Sequence, residues 1–136
     1  MNLFERNLKE NKMSTNNTFG ETLTELRRSR NMSARKLALS LGVSGPYICD
    51  VENGRRAPLT FERLQEVKTI LDLSGEEFNT LNDAAGNWSP DSVAPDLPEY
   101  LNSSQVARLA LRTARDLQAT DEDWMEFIRL LKEKRK

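Results

Sequence analysis

The chain has 136 residues, 38% hydrophobic and 30% charged, which allows one small globular domain with an appendage and excludes two full-sized domains. A single cysteine, Cys49, and no histidine rule out an internal disulfide and leave a zinc site almost without its usual ligands, so a reducing, cytoplasmic setting is expected. No apolar run approaches the ~20 residues that cross a bilayer, and the opening MNLFERNLKENK lacks the hydrophobic centre of a signal peptide, so no membrane partner is expected.

The formal net charge of −1 hides a segregation. Between Phe19 and Pro58, Arg27, Arg28, Arg30, Arg35, Lys36, Arg55 and Arg56 outnumber Glu21, Glu25, Asp50 and Glu52. Between Leu59 and Tyr100 only Arg63 and Lys68 oppose nine carboxylates. The basic segment reads as a phosphate-facing surface, the acidic one as solvated helix faces.

Residues 1–17 are polar apart from Leu3, Phe4 and Leu8, and are expected to form a flexible N-terminal arm. Those three residues could alternatively make one amphipathic turn that docks on a partner subunit. Met13 leaves open a second translation start. A first helix is predicted over 18–30, with Phe19, Leu23 and Leu26 at spacings of four and three. Ser33 caps a second helix whose face is Leu37, Ala38 and Leu41, and Gly42 supplies its left-handed stop. Arg35 and Lys36 in its first turn oppose the helix dipole, a cost of a few tenths of a kcal/mol each that contact with phosphates would offset. Ser44 opens a third helix, about Gly45 to Glu52, where Pro46 is tolerated because the first-turn amides have no intrahelical partner anyway. Ile48 and Val51 give this helix its buried side, and Asn53-Gly54 ends it. Two short helices around a tight turn make a helix-turn-helix signature.

The stretch Val43-Ser44-Gly45-Pro46-Tyr47-Ile48-Cys49-Asp50-Val51-Glu52-Asn53-Gly54-Arg55-Arg56-Ala57-Pro58 resembles the recognition helix and basic exit loop of the lambda Cro/cI-type regulators, the XRE family of bacterial and phage repressors. The resemblance implies an all-α fold, with a five-helix DNA-binding domain over 18–86. It places Ser44, Gly45, Pro46, Tyr47 and Asp50 toward the bases of double-stranded DNA in the major groove. Asn53, Arg55 and Arg56 fall on phosphates, joined by Arg35 and Lys36, because the glutamine common at the start of the family's scaffold helix is Ala34 here. It also implies a structural ion pair between Arg27 and Glu52. Gly45 and Pro46 carry no side-chain donor, so base reading falls to Ser44, Tyr47 and Asp50. Tyr47 reads equally as a half-buried ring on the second helix, and Asp50 as a solvent-facing charge.

Beyond Pro58 the pattern is one of packing. Thr60 caps a fourth helix bearing Leu64, Val67, Ile70 and Leu71, and Ser74-Gly75-Glu76-Glu77 is a capping box for a fifth bearing Phe78, Leu81 and Ala85. Residues 87–98 hold three of the five prolines and read as a hinge, with Trp88 as a plug against the body. In 99–136 a two-helix hairpin is predicted. The first helix starts at Ser103 or Ser104 and carries Val106, Leu109, Ala110, Ala114 and Leu117; the second, capped by Thr120, carries Trp124, Phe127, Ile128 and Leu131. The run Pro95-Asp96-Leu97-Pro98-Glu99-Tyr100-Leu101 and the Asp-Glu-Asp-Trp helix resemble an arrangement that follows such DNA-binding domains in many bacterial regulators.

A hairpin cannot bury two apolar stripes alone, so it docks on its own N-terminal domain or on the same hairpin of a second subunit, as a homodimerisation element. The expectation is a dimeric, sequence-specific DNA-binding repressor or autoregulator acting on an inverted-repeat operator. The alternative is a phage or mobile-element interaction module that binds a host protein or RNA, with the C-terminal helices meeting the protein partner. Without histidine or a Gly-rich phosphate loop, neither a catalytic role nor a cofactor or metal is expected.

Overall fold

The computed structural model describes residues 17–136, and every regular element in them is helical. The expected N-terminal arm, the alternative docking turn and Met13 lie outside the described residues, except for Asn17. The helices are α1 (Phe19–Ser29), α2 (Ala34–Leu41), α3 (Gly45–Glu52), α4 (Phe61–Leu71), α5 (Gly75–Gly86), α6 (Pro98–Ser103), α7 (Gln105–Asp116) and α8 (Asp121–Lys134). Two compact units divide between Pro98 and Glu99.

Local chemistry starts nearly every helix. Thr18, Ser33, Ser44, Thr60, Ser74, Ser104 and Thr120 each accept, through the side-chain oxygen, the amide hydrogen of the residue three positions on, at 3.1–3.3 Å. Each bond satisfies one of the donors a helix start leaves open, and loss of such a cap costs about 1 kcal/mol. Ser74–Glu77 and Thr120–Asp123 are full capping boxes. Gly42 closes α2 at φ 72° and Gly54 follows α3 at φ 78°. Asn31, Asp72 and Gln118 also take left-handed backbone, at φ 54°, 51° and 56°. These three stops are not glycines, and they went unread in the sequence.

In the first unit each helix turns two or more side chains to a common centre. Leu23, Leu37, Ile48, Val51, Leu64, Val67, Leu71 and Leu81 are all but sealed from solvent. Burial of such a side chain is worth about 1.5–3 kcal/mol. Helices α1 and α3 approach most closely at Gly20, where an added Cβ would lie 2.0 Å from the Glu52 carbonyl oxygen. Arg30 joins three elements, donating from Nε to the Leu71 carbonyl at 2.8 Å and from its terminal nitrogens to Glu77 at 2.6 and 2.9 Å. Arg63 donates to the Leu41 carbonyl at the end of α2.

The stretch read as a hinge does not run free of this unit. Ser92 Oγ donates to the Gly86 carbonyl, and Ala94 is buried against Gly86, where a Cβ would meet the Ala94 amide nitrogen at 2.4 Å. Trp88, read as a plug, is half exposed. The second unit carries three helices where two were expected. The short α6 opens at Pro98, and Arg108 donates to the Leu101 and Asn102 carbonyls at 2.7 and 2.8 Å, which satisfies its far end. Ser104, not Ser103, caps α7.

Candidate nucleic-acid interface

The turn between α2 and α3 is built from Gly42, Val43 and Ser44. Val43 returns its amide hydrogen to the Ala38 carbonyl at 3.0 Å and packs against the core, so α3 leaves the scaffold helix at a fixed angle. Ile48 and Val51 then anchor α3 from beneath.

Arg27 and Glu52 fix its far end. Nε and one terminal nitrogen of Arg27 donate to the two Glu52 carboxylate oxygens at 2.8 and 2.9 Å, and the other donates to the Met32 carbonyl at 2.9 Å. Both side chains keep only 9% of their surface in solvent. The bond to Glu52 raises the Arg27 pKa above its already high ordinary value, which outweighs the opposing effect of burial. This fork also aligns α1 with the end of α3, which is why Gly20 must be bare of a side chain there.

With Ile48 and Val51 inward, the opposite strip of α3 is Gly45, Pro46, Cys49 and Asp50, continued by Asn53 at the C-cap. Cys49 is exposed on this strip and was missed as a member of it, although Gly45, Cys49 and Asn53 recur every four residues. Ser44 sits at the head of the strip, exposed; its Oγ accepts the Tyr47 amide hydrogen at 3.1 Å, which leaves the hydroxyl proton and one lone pair for a ligand. Tyr47 lies to one side. Its ring packs against the core, and the Arg56 guanidinium stands 5.7 Å above the ring centre.

Not every arginine of the basic segment is available to a ligand. Arg27 and Arg30 are consumed by Glu52 and Glu77. Arg28, Arg35, Lys36, Arg55 and Arg56 are exposed. Arg55 reaches Asp50 at 3.5 Å while 73% of its side chain remains in water, a contact worth little. The exposed cations thus lie at the start of α2, the end of α1 and the loop after α3. An open cleft of about 630 Å³ beside this surface is lined by Phe19, Gly20, Asn53, Arg56 and Trp88 among others. Among the described residues no cluster of metal-ligating side chains occurs, and no helix is long and apolar enough to cross a membrane.

Residues 18–81 match the sequence model of a helix-turn-helix domain family. Over 124 residues the chain is 32% identical to the HTH-type transcriptional regulator DdrOP3 of Deinococcus deserti, covering 82% of this chain and 94% of that protein. This chain belongs to the HTH-type transcriptional regulators. Over 98 residues it is 40% identical to the uncharacterized HTH-type transcriptional regulator RghRB of Bacillus subtilis, a match covering 68% of this chain and 66% of RghRB. A solved chain of the SinR protein/SinI protein complex aligns with a TM-score of 0.42 at 19% identity, over 87% of this chain and 98% of that one.

Proposed function

We propose that this HTH-type regulator is a dimeric, sequence-specific DNA-binding repressor or autoregulator that reads an inverted-repeat operator with α3. One observation carries the reading: exposed Arg55 and Arg56 reach Asp50 and Tyr47 at the edge of the outward strip of α3, exposed Arg35 and Lys36 stand in the first turn of α2, and the inner strip of α3 is bolted down through Ile48, Val51 and Glu52. A rigid, narrow strip beside cations suits entry into a major groove walled by phosphates.

In this reading Arg55 and Arg56 grip phosphate by their guanidinium forks, with Arg35, Lys36 and Asn53 as further backbone contacts. Gly45 permits close approach, and Pro46 offers an apolar face to a thymine methyl. The Ser44 hydroxyl donates to a base edge, Asp50 accepts from a cytosine amine, and Tyr47 offers its phenol at the strip's margin. The dimer is supported by the second unit, whose helices leave Val106 74%, Leu109 60%, Leu117 77% and Phe127 52% exposed. Two copies sharing those faces would impose twofold symmetry on the operator.

The test is titration of the full chain against the DNA upstream of its own gene and against random duplex, each at two salt concentrations. Preference for the upstream DNA, with affinity falling as salt rises, is the expected result; equal affinity for both duplexes removes the operator, and no binding at low salt removes DNA altogether. Replacing Arg55 and Arg56 with alanine should weaken both duplexes alike and reduce the salt slope by about 1.8, two phosphate contacts at ~0.9 each. Tyr47→Ala should instead narrow the gap between operator and random DNA; equal loss on both would take Tyr47 off the bases.

A further inference from the structure

The faces of α8 are not alike. On one side Arg129 donates to Glu126 and to Glu133, both at 3.1 Å, so this polar flank is satisfied within the helix. On another side Trp124, Met125 and Ile128 are partly covered. A third stripe is left: Asp123, Phe127, Leu130 and Lys134, at successive spacings of four, three and four, which lie on one line of a helix. Its middle is apolar and half exposed, Phe127 at 52% and Leu130 at 47%, with Leu131 at 43% beside it. The Trp124 indole meets the Phe127 ring edge-on at 6.0 Å and holds it in place on the surface. The ends of the stripe carry opposite charges. Asp123 Oδ2 accepts the Thr120 amide hydrogen at 2.9 Å, which leaves Oδ1 open, and Lys134 forms no ion pair among the described residues.

The spacing four-three-four reads the same in both directions, and reversal exchanges Asp123 with Lys134 and Phe127 with Leu130. We propose that the Asp123–Phe127–Leu130–Lys134 stripe of α8 pairs antiparallel with the same stripe of a second copy, Phe127 against Leu130 and Asp123 against Lys134 at both ends. A twofold interface requires such self-complementarity: if one residue meets another, the second meets the first across the axis. The opposite orientation would set Asp123 against Asp123 and Lys134 against Lys134, so the charges select the antiparallel one. The stripe is about 16 Å long at 1.5 Å per residue, enough for a short two-helix seam that the exposed side chains of α7 can widen.

The proposal rests on the dimer reading above, and sedimentation equilibrium of the full chain at low ionic strength separates the two. The wild type should dimerise, and Phe127→Glu should weaken the dimer at least a hundredfold. Asp123→Lys and Lys134→Asp should each weaken it about tenfold, because either change places like charges at both ends. The double variant Asp123→Lys/Lys134→Asp should return to within about threefold of wild type, and the two single variants mixed should pair with each other more tightly than with themselves. Asp123→Lys also removes the α8 capping box, but the double variant carries the same loss, so its recovery reports the cross-chain pair alone. A wild type that stays monomeric sinks the dimer reading and this one with it. A dimer weakened by Phe127→Glu but blind to the charge variants keeps the dimer and overturns the antiparallel stripe, as does a dimer that ignores Phe127→Glu.

Discussion

Residues 17–98 bury sixteen hydrophobic side chains, Phe19 to Ala94, whereas from Glu99 to Lys136 no residue is buried. Apart from α6, both units are made of Ser- or Thr-capped amphipathic helices, and α7 and α8 are no less regularly patterned than α1 to α5. The difference is one of geometry. Five short helices surround a centre, so each apolar face meets side chains from several directions. A hairpin offers each stripe only one neighbour, too few to close a core; Trp124 and Ile128 are covered in part, while Phe127, Leu130 and Leu131 stand in water. Helix pattern alone therefore does not say whether a chain completes its own core. The first unit does, and the second has half of one.

The sharpest way to break the self-sufficient half is at its tightest seam. Gly20→Ala would drive a methyl into the Glu52 backbone, and neither carbonyl nor helix can yield without parting α1 from α3. A loss of about 4 kcal/mol or more is expected, seen as a fall in thermal midpoint of well over 10 °C. Gly75→Ala is the control. Nothing lies within 4 Å of its added Cβ, so it should be neutral or stabilise slightly. If Gly20→Ala is as harmless, the close approach of α1 to α3 is not as described.

Next in size is the buried fork. Arg27→Met leaves the Glu52 carboxylate nine-tenths covered without a counter-charge, at a cost of about 3–5 kcal/mol, while Arg27→Met with Glu52→Leu should recover most of it. Chemical denaturation of the three proteins measures the gap. If the double variant is as unstable as the single one, the arginine is needed for its bond to the Met32 carbonyl and not for its charge.

A smaller, reversible break comes from acid. Bonds from Arg30 and from the Ser74 amide hold the Glu77 carboxyl down to about 2 from the ordinary 4.5. Because the folded value is the lower one, the pair stabilises the domain fully above about pH 4.5, and that contribution fades as pH falls toward 2. The side chains of Arg30 and Glu77 are 26% and 34% exposed, so after screening the clamp is worth on the order of 1 kcal/mol. Glu77→Gln should be less stable than wild type at neutral pH and converge with it near pH 2. Parallel curves across that range would mean the clamp does not hold α1, α4 and α5 together.

How much of this was legible follows from how local each signal is. Caps, the Gly42 stop and the apolar spacing of α1 to α5 act within a turn or two, and the sequence displays them. Asn31 and Asp72 are of types that tolerate left-handed backbone but occur far more often elsewhere, so type alone did not mark them as stops, and Gln118 carries no such preference at all. Neither was the double duty of the arginines legible. Arg28 and Arg30 look alike in the sequence, and only Leu71 and Glu77, forty-one and forty-seven residues away, show that Arg30 belongs to the fold. For the candidate interface, the basic loop Arg55-Arg56 stood out by charge. Cys49 on the outward strip and the Ser44 oxygen shared with a cap needed the helix in three dimensions.

The smallest expected effect bears most directly on the unfinished half. If α7 and α8 draw their protection from a second copy, their amide hydrogen exchange must depend on protein concentration, since only the dissociated chain opens freely. Well above the dissociation constant the monomer fraction grows as the inverse square root of concentration, so tenfold dilution should speed exchange in 105–134 about threefold, equivalent to ~0.7 kcal/mol per chain. Exchange in α1 to α5 should not move, because Leu23, Leu37, Leu64 and Leu81 are covered by their own chain. Dilution that leaves both units unchanged would mean the hairpin is held within one molecule, and the contrast between the two units would then be one of exposure without dependence. Acceleration in both would tie the DNA-binding helices to the dimer, so that loss of pairing would also loosen α3.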